Sequence, residues 1–167
     1  MQLILSIGQV RTRSFTKSAT RGSSFIQREL NDLGGAKELA LYRLKIAKED
    51  LAAAVRCYEA QDYRAANNRA YYAIFRAVSA CLALEFKAYK QHGQVLGNFI
   101  KDFVHTGIFP KDIARKISRA QEVRHESDYS DFYIVSISET KEQIDTAAEV
   151  VQMVEEYLNT QTTPQSS

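Results

Sequence analysis

The sequence predicts an all-α domain, and three observations carry that expectation. Apolar residues recur at three- and four-residue steps through most of the stretch from Ala36 to Leu158. Only seven glycines and two prolines are present in 167 residues, too few to furnish many hairpins or long loops. Apolar residues at 45% and charged residues at 25% match an ordinary globular chain, and the length suits one domain.

Taken in order, residues 1–35 lack this periodicity and are expected to form a disordered or weakly ordered basic leader. The stretch from Met1 to Arg28 contains no acid and is rich in Ser, Thr and Arg, a composition shared by organellar targeting segments and by plain disordered leaders. Residues 36–159 form the expected bundle. Leu44, Ala47, Leu51, Ala54, Val55 and Tyr58 give a first amphipathic helix. Asp62 offers an N-cap for a second, running to about Phe86. That helix has an apolar side through Tyr71, Ile74, Phe75, Val78, Cys81 and Leu82. Its other side carries Ala65, Arg69, Tyr72, Ala73, Arg76 and Ala80, so the helix is expected to be central or shared with a partner.

A short third helix carries Val95, Leu96, Phe99, Ile100, Phe103 and Val104, and Gly107 and Pro110 end it. A fourth is expected over Lys111 to Glu126, with Ile113, Ile117 and Ala120 in register. Ser136 and Glu139 have capping-box spacing for a fifth, in which Ile137, Ile144, Val151 and Leu158 follow at heptad steps with Ala148 and Val154 between. Residues 160–167 read as a disordered tail.

Charge and cysteine usage exclude several functions. Residues 1–37 hold six bases against two acids, whereas the remainder holds 16 bases and 18 acids. A nearly neutral domain lacks the clustered basic face of a general nucleic-acid binder, so any RNA contact rests on a few placed arginines. Cys57 and Cys81 lie within apolar helical patterns and suit small core residues in a reducing cytoplasm. The three histidines have no His or Cys partner at metal-ligand spacing, so neither a metal nor another cofactor is expected. No apolar stretch approaches the roughly 18 residues needed to cross a membrane.

Arg124 is the most informative single position. At 100° per residue it falls about 20° from Ile113, inside the stripe made by Ile113, Ile117 and Ala120. An interior charge requires a partner or a cleft. Three readings follow: an arginine that reaches past the helix end to water, an internal ion pair with Asp128 or Asp131, or a guanidinium held for an anionic ligand such as RNA phosphate. Arg69 and Arg76, seven residues apart, share one side of the second helix; with Tyr72 they suit either a solvated face, a shallow basic groove or a dimer seam. His125 is expected to point about 100° away from Arg124.

Three stretches in order resemble the HEPN family of nucleotide- and RNA-handling helical bundles. These are Asp62-Tyr63-Arg64-Ala65-Ala66-Asn67-Asn68-Arg69-Ala70-Tyr71-Tyr72-Ala73-Ile74-Phe75, then Phe103 to Pro110, then Arg124-His125-Glu126-Ser127-Asp128-Tyr129 on to Tyr133. The last resembles an Arg-x-x-x-Asp-Tyr element of one prokaryotic branch. The resemblance covers about Leu41 to Leu158 and implies a five-helix up-and-down bundle, usually homodimeric. It further implies a metal-independent endoribonuclease toxin, often encoded beside a nucleotidyltransferase antitoxin, whose catalytic Arg is followed four to six residues later by His. Here those positions hold Asp128, Tyr129 and Ser130. Arg124, Asp128 and Tyr129 are therefore the expected catalytic group, with Asp128 as base and Tyr129 as proton donor or stacking ring, and Arg69, Tyr72 and Arg76 the expected binding group. The alternative is a non-catalytic module that binds nucleotide or a nucleotidyltransferase partner.

Overall fold

The computed structural model describes the backbone of residues 19–85, 92–129 and 136–162. Side chains are described for residues 32, 34–85, 94–127 and 136–161. The chain forms two compact units, Met1–Asp32 and Leu33–Ser167. In the first, the described backbone is helical; the second is the bundle.

The described residues contain five α-helices and no strand: α1 (Ala19–Glu59), α2 (Tyr63–Leu84), α3 (His92–Phe99), α4 (Asp112–Tyr129) and α5 (Ile137–Thr162). Helix α1 begins at Ala19, ahead of the apolar period that starts at Ala36. Once nucleated, a helix gains a backbone bond for each residue added, so it can continue past its packed stripe. Within the described side chains, burial begins at Ala36.

Helix ends follow the expected chemistry. The Asp62 carboxylate accepts from the Ala65 backbone N–H at 3.1 Å and caps α2. Ser136 Oγ accepts from the Glu139 N–H at 3.1 Å and caps α5. Between them α3 widens into a π-helical turn over Ile100–Val104, where the His105 N–H reaches back to the Ile100 carbonyl at 2.9 Å. Gly107 then turns the chain with φ +83°, in the left-handed region open to glycine. Phe109 returns to pack with Phe99 and Phe103 at 5.2 and 6.1 Å between ring centroids, and Tyr157 of α5 closes the cluster.

Helix α2 is the axis of the bundle. Every residue from Ala77 to Ala83 is buried, and α2 packs against α3, α4 and α5. Arg43 on α1 donates to the Ser79 carbonyl at 2.8 Å, while Asp50 on α1 meets Arg69 and Arg76, so α1 and α2 run antiparallel. Lys48 with Glu155, and Leu51 and Tyr58 beside Ile144 and Lys141, set α1 antiparallel to α5. Lys116 with Glu149 and Arg119 with Glu139 do the same for α4 and α5. The C-terminal end of α4 consequently lies beside the N-terminal half of α2.

Two expectations are corrected. The small-residue side of α2 was a candidate seam for a partner, but Ala73 and Ala80 are fully buried within this one chain. The chain's own helices enclose α2, with α1 crossing at Arg69, Arg76 and Ser79. On α5, Ile137 is 56% exposed and Ala148 is exposed. The buried stripe instead takes in Thr140, Gln143, Ala147 and Val150 beside Ile144 and Val151, because a core-facing helix buries a wider arc than one heptad position.

Candidate functional site

The site is built where α4 ends against the first half of α2. Along α4, Ile113, Ile117, Ala120 and Val123 are each at most 1% exposed, and Ser127 is buried after them. The buried line thus passes through Val123 and leaves Arg124 half-buried at its border. There its guanidinium carbon lies 5.4 Å from the ring centroid of Tyr71 and 5.7 Å from that of Tyr72. The two rings meet edge to face, 5.7 Å apart at 69°. Consecutive side chains on a helix diverge by about 100°, so Tyr71 enters the core while Tyr72 stays partly outside. A cation over such a ring gains about 0.5–2 kcal/mol, depending on desolvation, which offsets part of the cost of withdrawing Arg124 from water.

Two clefts adjoin this cation–π group. One, of about 550 Å³, is lined by Asp62, Arg64, Ala65, Asn68, Arg69 and Tyr72. The other, of about 340 Å³, is lined by Tyr71, Ser118, Gln121, Glu122, Arg124 and His125. Tyr72 therefore belongs to the first, Tyr71 and Arg124 to the second, and the guanidinium touches both rings. The first cleft presents two guanidinium groups, an amide and an aromatic ring beside the Asp62 carboxylate, which is engaged in capping α2. The guanidinium and aromatic groups complement an anion carrying a planar group. Burial pushes the Tyr71 phenol above its ordinary value of 10.0; Arg124 pulls it back and Tyr72 pushes it up. Tyr71 keeps its proton through the neutral range and remains a hydrogen-bond donor.

The expected site residues separate into three groups. Arg124 and Tyr72 are in contact, and Arg69 shares a cleft with Tyr72. Arg76 borders neither cleft; its Nε donates to Asp50 Oδ2 at 2.7 Å. Asp128 and Tyr129 occupy the last turn of α4, and their side chains lie outside the described residues, as do Ser130, Asp131, Phe132 and Tyr133. The backbone places Asp128 one turn beyond Arg124 on the same side of α4.

Three participants stand outside the expected site residues. Tyr71 passes as core there, although its ring carries Arg124. His125 is expected to face elsewhere, yet it borders the same cleft as Arg124, which runs along the Ser118, Gln121, Glu122 and His125 side of α4. Asp50 falls in register with the apolar positions Ala47 and Ala54 of α1, a signal equal to that of Arg124 on α4.

Comparison with known proteins now decides the family. A HEPN-domain profile matches residues 40–157. The chain belongs to the HEPN-domain family. Among its HEPN relatives is a protein of Methanocaldococcus jannaschii named a "putative toxin", 36% identical over 87 residues. That match covers 52% of this chain and 65% of the relative, so it spans less than two thirds of the relative's own length. A UPF0332 protein of Thermotoga maritima is 29% identical over 117 residues, covering 70% of this chain and 89% of the relative. The profile takes in all of α2 and α4, and with them Arg124, Tyr71 and Tyr72. No helix among the described residues is long and apolar enough to cross a membrane.

Proposed function

We propose that this HEPN protein is a cytoplasmic toxin that cleaves RNA without a metal ion, acts as a homodimer and is restrained by a nucleotidyltransferase antitoxin. The observation that carries the RNA-directed part is the Arg124 guanidinium held against the rings of Tyr71 and Tyr72 beside two clefts. The toxin part draws on the name of the Methanocaldococcus relative, and the dimer and antitoxin on the habit of the family.

In this reading Tyr72 stacks on a base and Arg64 and Arg69 meet flanking phosphates. Arg124 faces the scissile phosphate. Asp128 removes the proton of the ribose 2′-hydroxyl, whose oxygen then attacks phosphorus. The bond from phosphorus to the 5′-oxygen breaks, and that oxygen takes a proton from Tyr129 or water. Arg124 stabilises the charge that develops on the phosphoryl oxygens.

The test is an RNA-cleavage assay in EDTA beside a growth assay, with circular-dichroism melting as control. Arg124→Ala should lower cleavage by about 10²–10³-fold, the usual effect of removing a group aimed at developing oxyanion charge, and should abolish growth arrest while the protein stays folded. Asp128→Asn should follow it. Wild-type protein that cleaves no RNA would sink the enzyme reading. The sequence favours one second reading, a non-catalytic nucleotide-binding or partner-binding module, because no His stands four to six residues after Arg124. RNA binding without cleavage would select it.

A further inference from the structure

Asp50 is a carboxylate in the wrong place for an idle surface acid. Its side chain is 8% exposed, on the face of α1 that packs on α2. Burying a carboxylate is unfavourable unless both oxygens find partners. Both do: Oδ1 accepts from Arg69 Nη1 at 3.1 Å and Oδ2 accepts from Arg76 Nε at 2.7 Å. Two guanidinium groups, two helical turns apart on α2, thereby converge on one acid from a different helix.

The arginines are not consumed by this contact. Their side chains remain 53% and 42% exposed, and among the described residues each makes its hydrogen bond to Asp50 alone. Arg69 keeps Nε and Nη2, and Arg76 keeps both Nη groups, as open donors. Arg69 also lines the larger cleft beside Arg64, Asn68 and Tyr72. An unanchored arginine loses several rotatable bonds of freedom when it grips a phosphate; one already held by a carboxylate loses less.

We infer that Asp50 is a positioning residue, reaching from α1 to hold Arg69 at the edge of the cleft and Arg76 two turns further along the same side of α2, so that their open N–H groups meet the phosphates of RNA. This rests on the RNA-directed function proposed for the cleft. A rival role gives the opposite sign. Were Asp50 only a neutralising charge, its removal would make the cleft more positive and tighten RNA binding. Loss of a positioning residue loosens it, although the protein has become more basic.

The experiment measures fluorescence anisotropy of a labelled single-stranded oligoribonucleotide against the full chain across a salt series. Asp50→Asn should weaken binding by roughly three- to tenfold, as expected when long side chains must be ordered on binding. The slope of log affinity on log salt should become shallower by about 0.7 for each phosphate that the variant no longer neutralises. Asp50→Glu should restore most of the affinity. Arg69→Gln should weaken binding similarly, and Asp50→Asn added to it should cost little more. Unchanged or tighter binding by a folded Asp50→Asn protein overturns the inference while leaving the RNA reading intact. If that variant does not fold, Arg69→Gln decides instead: unchanged affinity overturns the inference. Wild-type protein that binds no RNA overturns both.

Discussion

Arg124 and His125 are neighbours in sequence with different tasks in the same cleft. Arg124 lies against the rings of Tyr71 and Tyr72, and His125 lines the same cleft from α4. A lysine at position 124 would keep the charge but lose the planar fork that both stacks on tyrosine and grips phosphate, so Arg124→Lys should rescue little of the activity lost in Arg124→Ala. His125→Ala should raise KM several-fold and leave kcat nearly unchanged, since a wall contact holds ground state and transition state alike. A fall in kcat equal to that of Asp128→Asn would instead make His125 the base. Arg124 was legible in the sequence because a guanidinium on an apolar stripe breaks the pattern. Asp50 breaks the pattern of α1 in the same way, but it sits in the run Lys48-Glu49-Asp50, which reads as a solvated face. Its partners lie 19 and 26 residues away on another helix, and only the register of α1 on α2 brings them together.

Helix by helix, the caps were readable because they are local: Asp62 and Ser136 bond to N–H groups three residues on. The π-helical turn was not, since an i to i+5 bond carries no side-chain signature in Ile100–Val104. Which side of α2 would be covered was also hidden, because it depends on every other helix. Its buried half has a consequence for alkaline stability. Burial raises the Cys81 thiol well above its ordinary 9.0, with Glu85 pushing the same way, and raises the phenols of Tyr71 and Tyr157 above 10.0. In the unfolded chain these protons leave near the ordinary values; in the folded chain they are retained to higher pH. The stability they lend is therefore complete below about pH 9 and declines as pH climbs through 9–10 and beyond, where the unfolded state binds fewer protons. Urea melts from pH 8 to 11 should show that decline, with Tyr71→Phe flattening it. A midpoint constant over the range would mean that these groups are open to water.

At the scale of the whole molecule, the question is what this bundle joins. A homodimer remains the proposed assembly, but Ala73 and Ala80 of α2 cannot form its seam, because both are buried inside one chain. The clefts beside Arg124 lie on the outside of α2 and α4 and are the surface a second copy would face. Light scattering at tens of micromolar should give twice the 18.9 kDa chain mass, and a Gln121→Arg/Glu122→Arg variant should reduce it to one, since like charges across a twofold axis repel. A wild-type monomer would remove the dimer from the proposal. The bundle is expected to stand without the leader: among the described residues burial begins at Ala36, and the second unit begins at Leu33. Deleting residues 1–32 should leave the melting midpoint nearly in place, and a fall of many degrees would show that the leader belongs to the folded core.

The chain contains nine tyrosines and no tryptophan. Its ultraviolet emission is consequently tyrosine emission alone, and two of the nine emitters are the rings on which Arg124 rests. A positive charge over an aromatic face perturbs its optical transitions, so any anion that draws the guanidinium aside alters the signal at its source. The unmodified protein thus carries an optical gauge of occupancy in its candidate site, readable by titration with a non-absorbing anion such as inorganic phosphate, with no dye and no engineered probe.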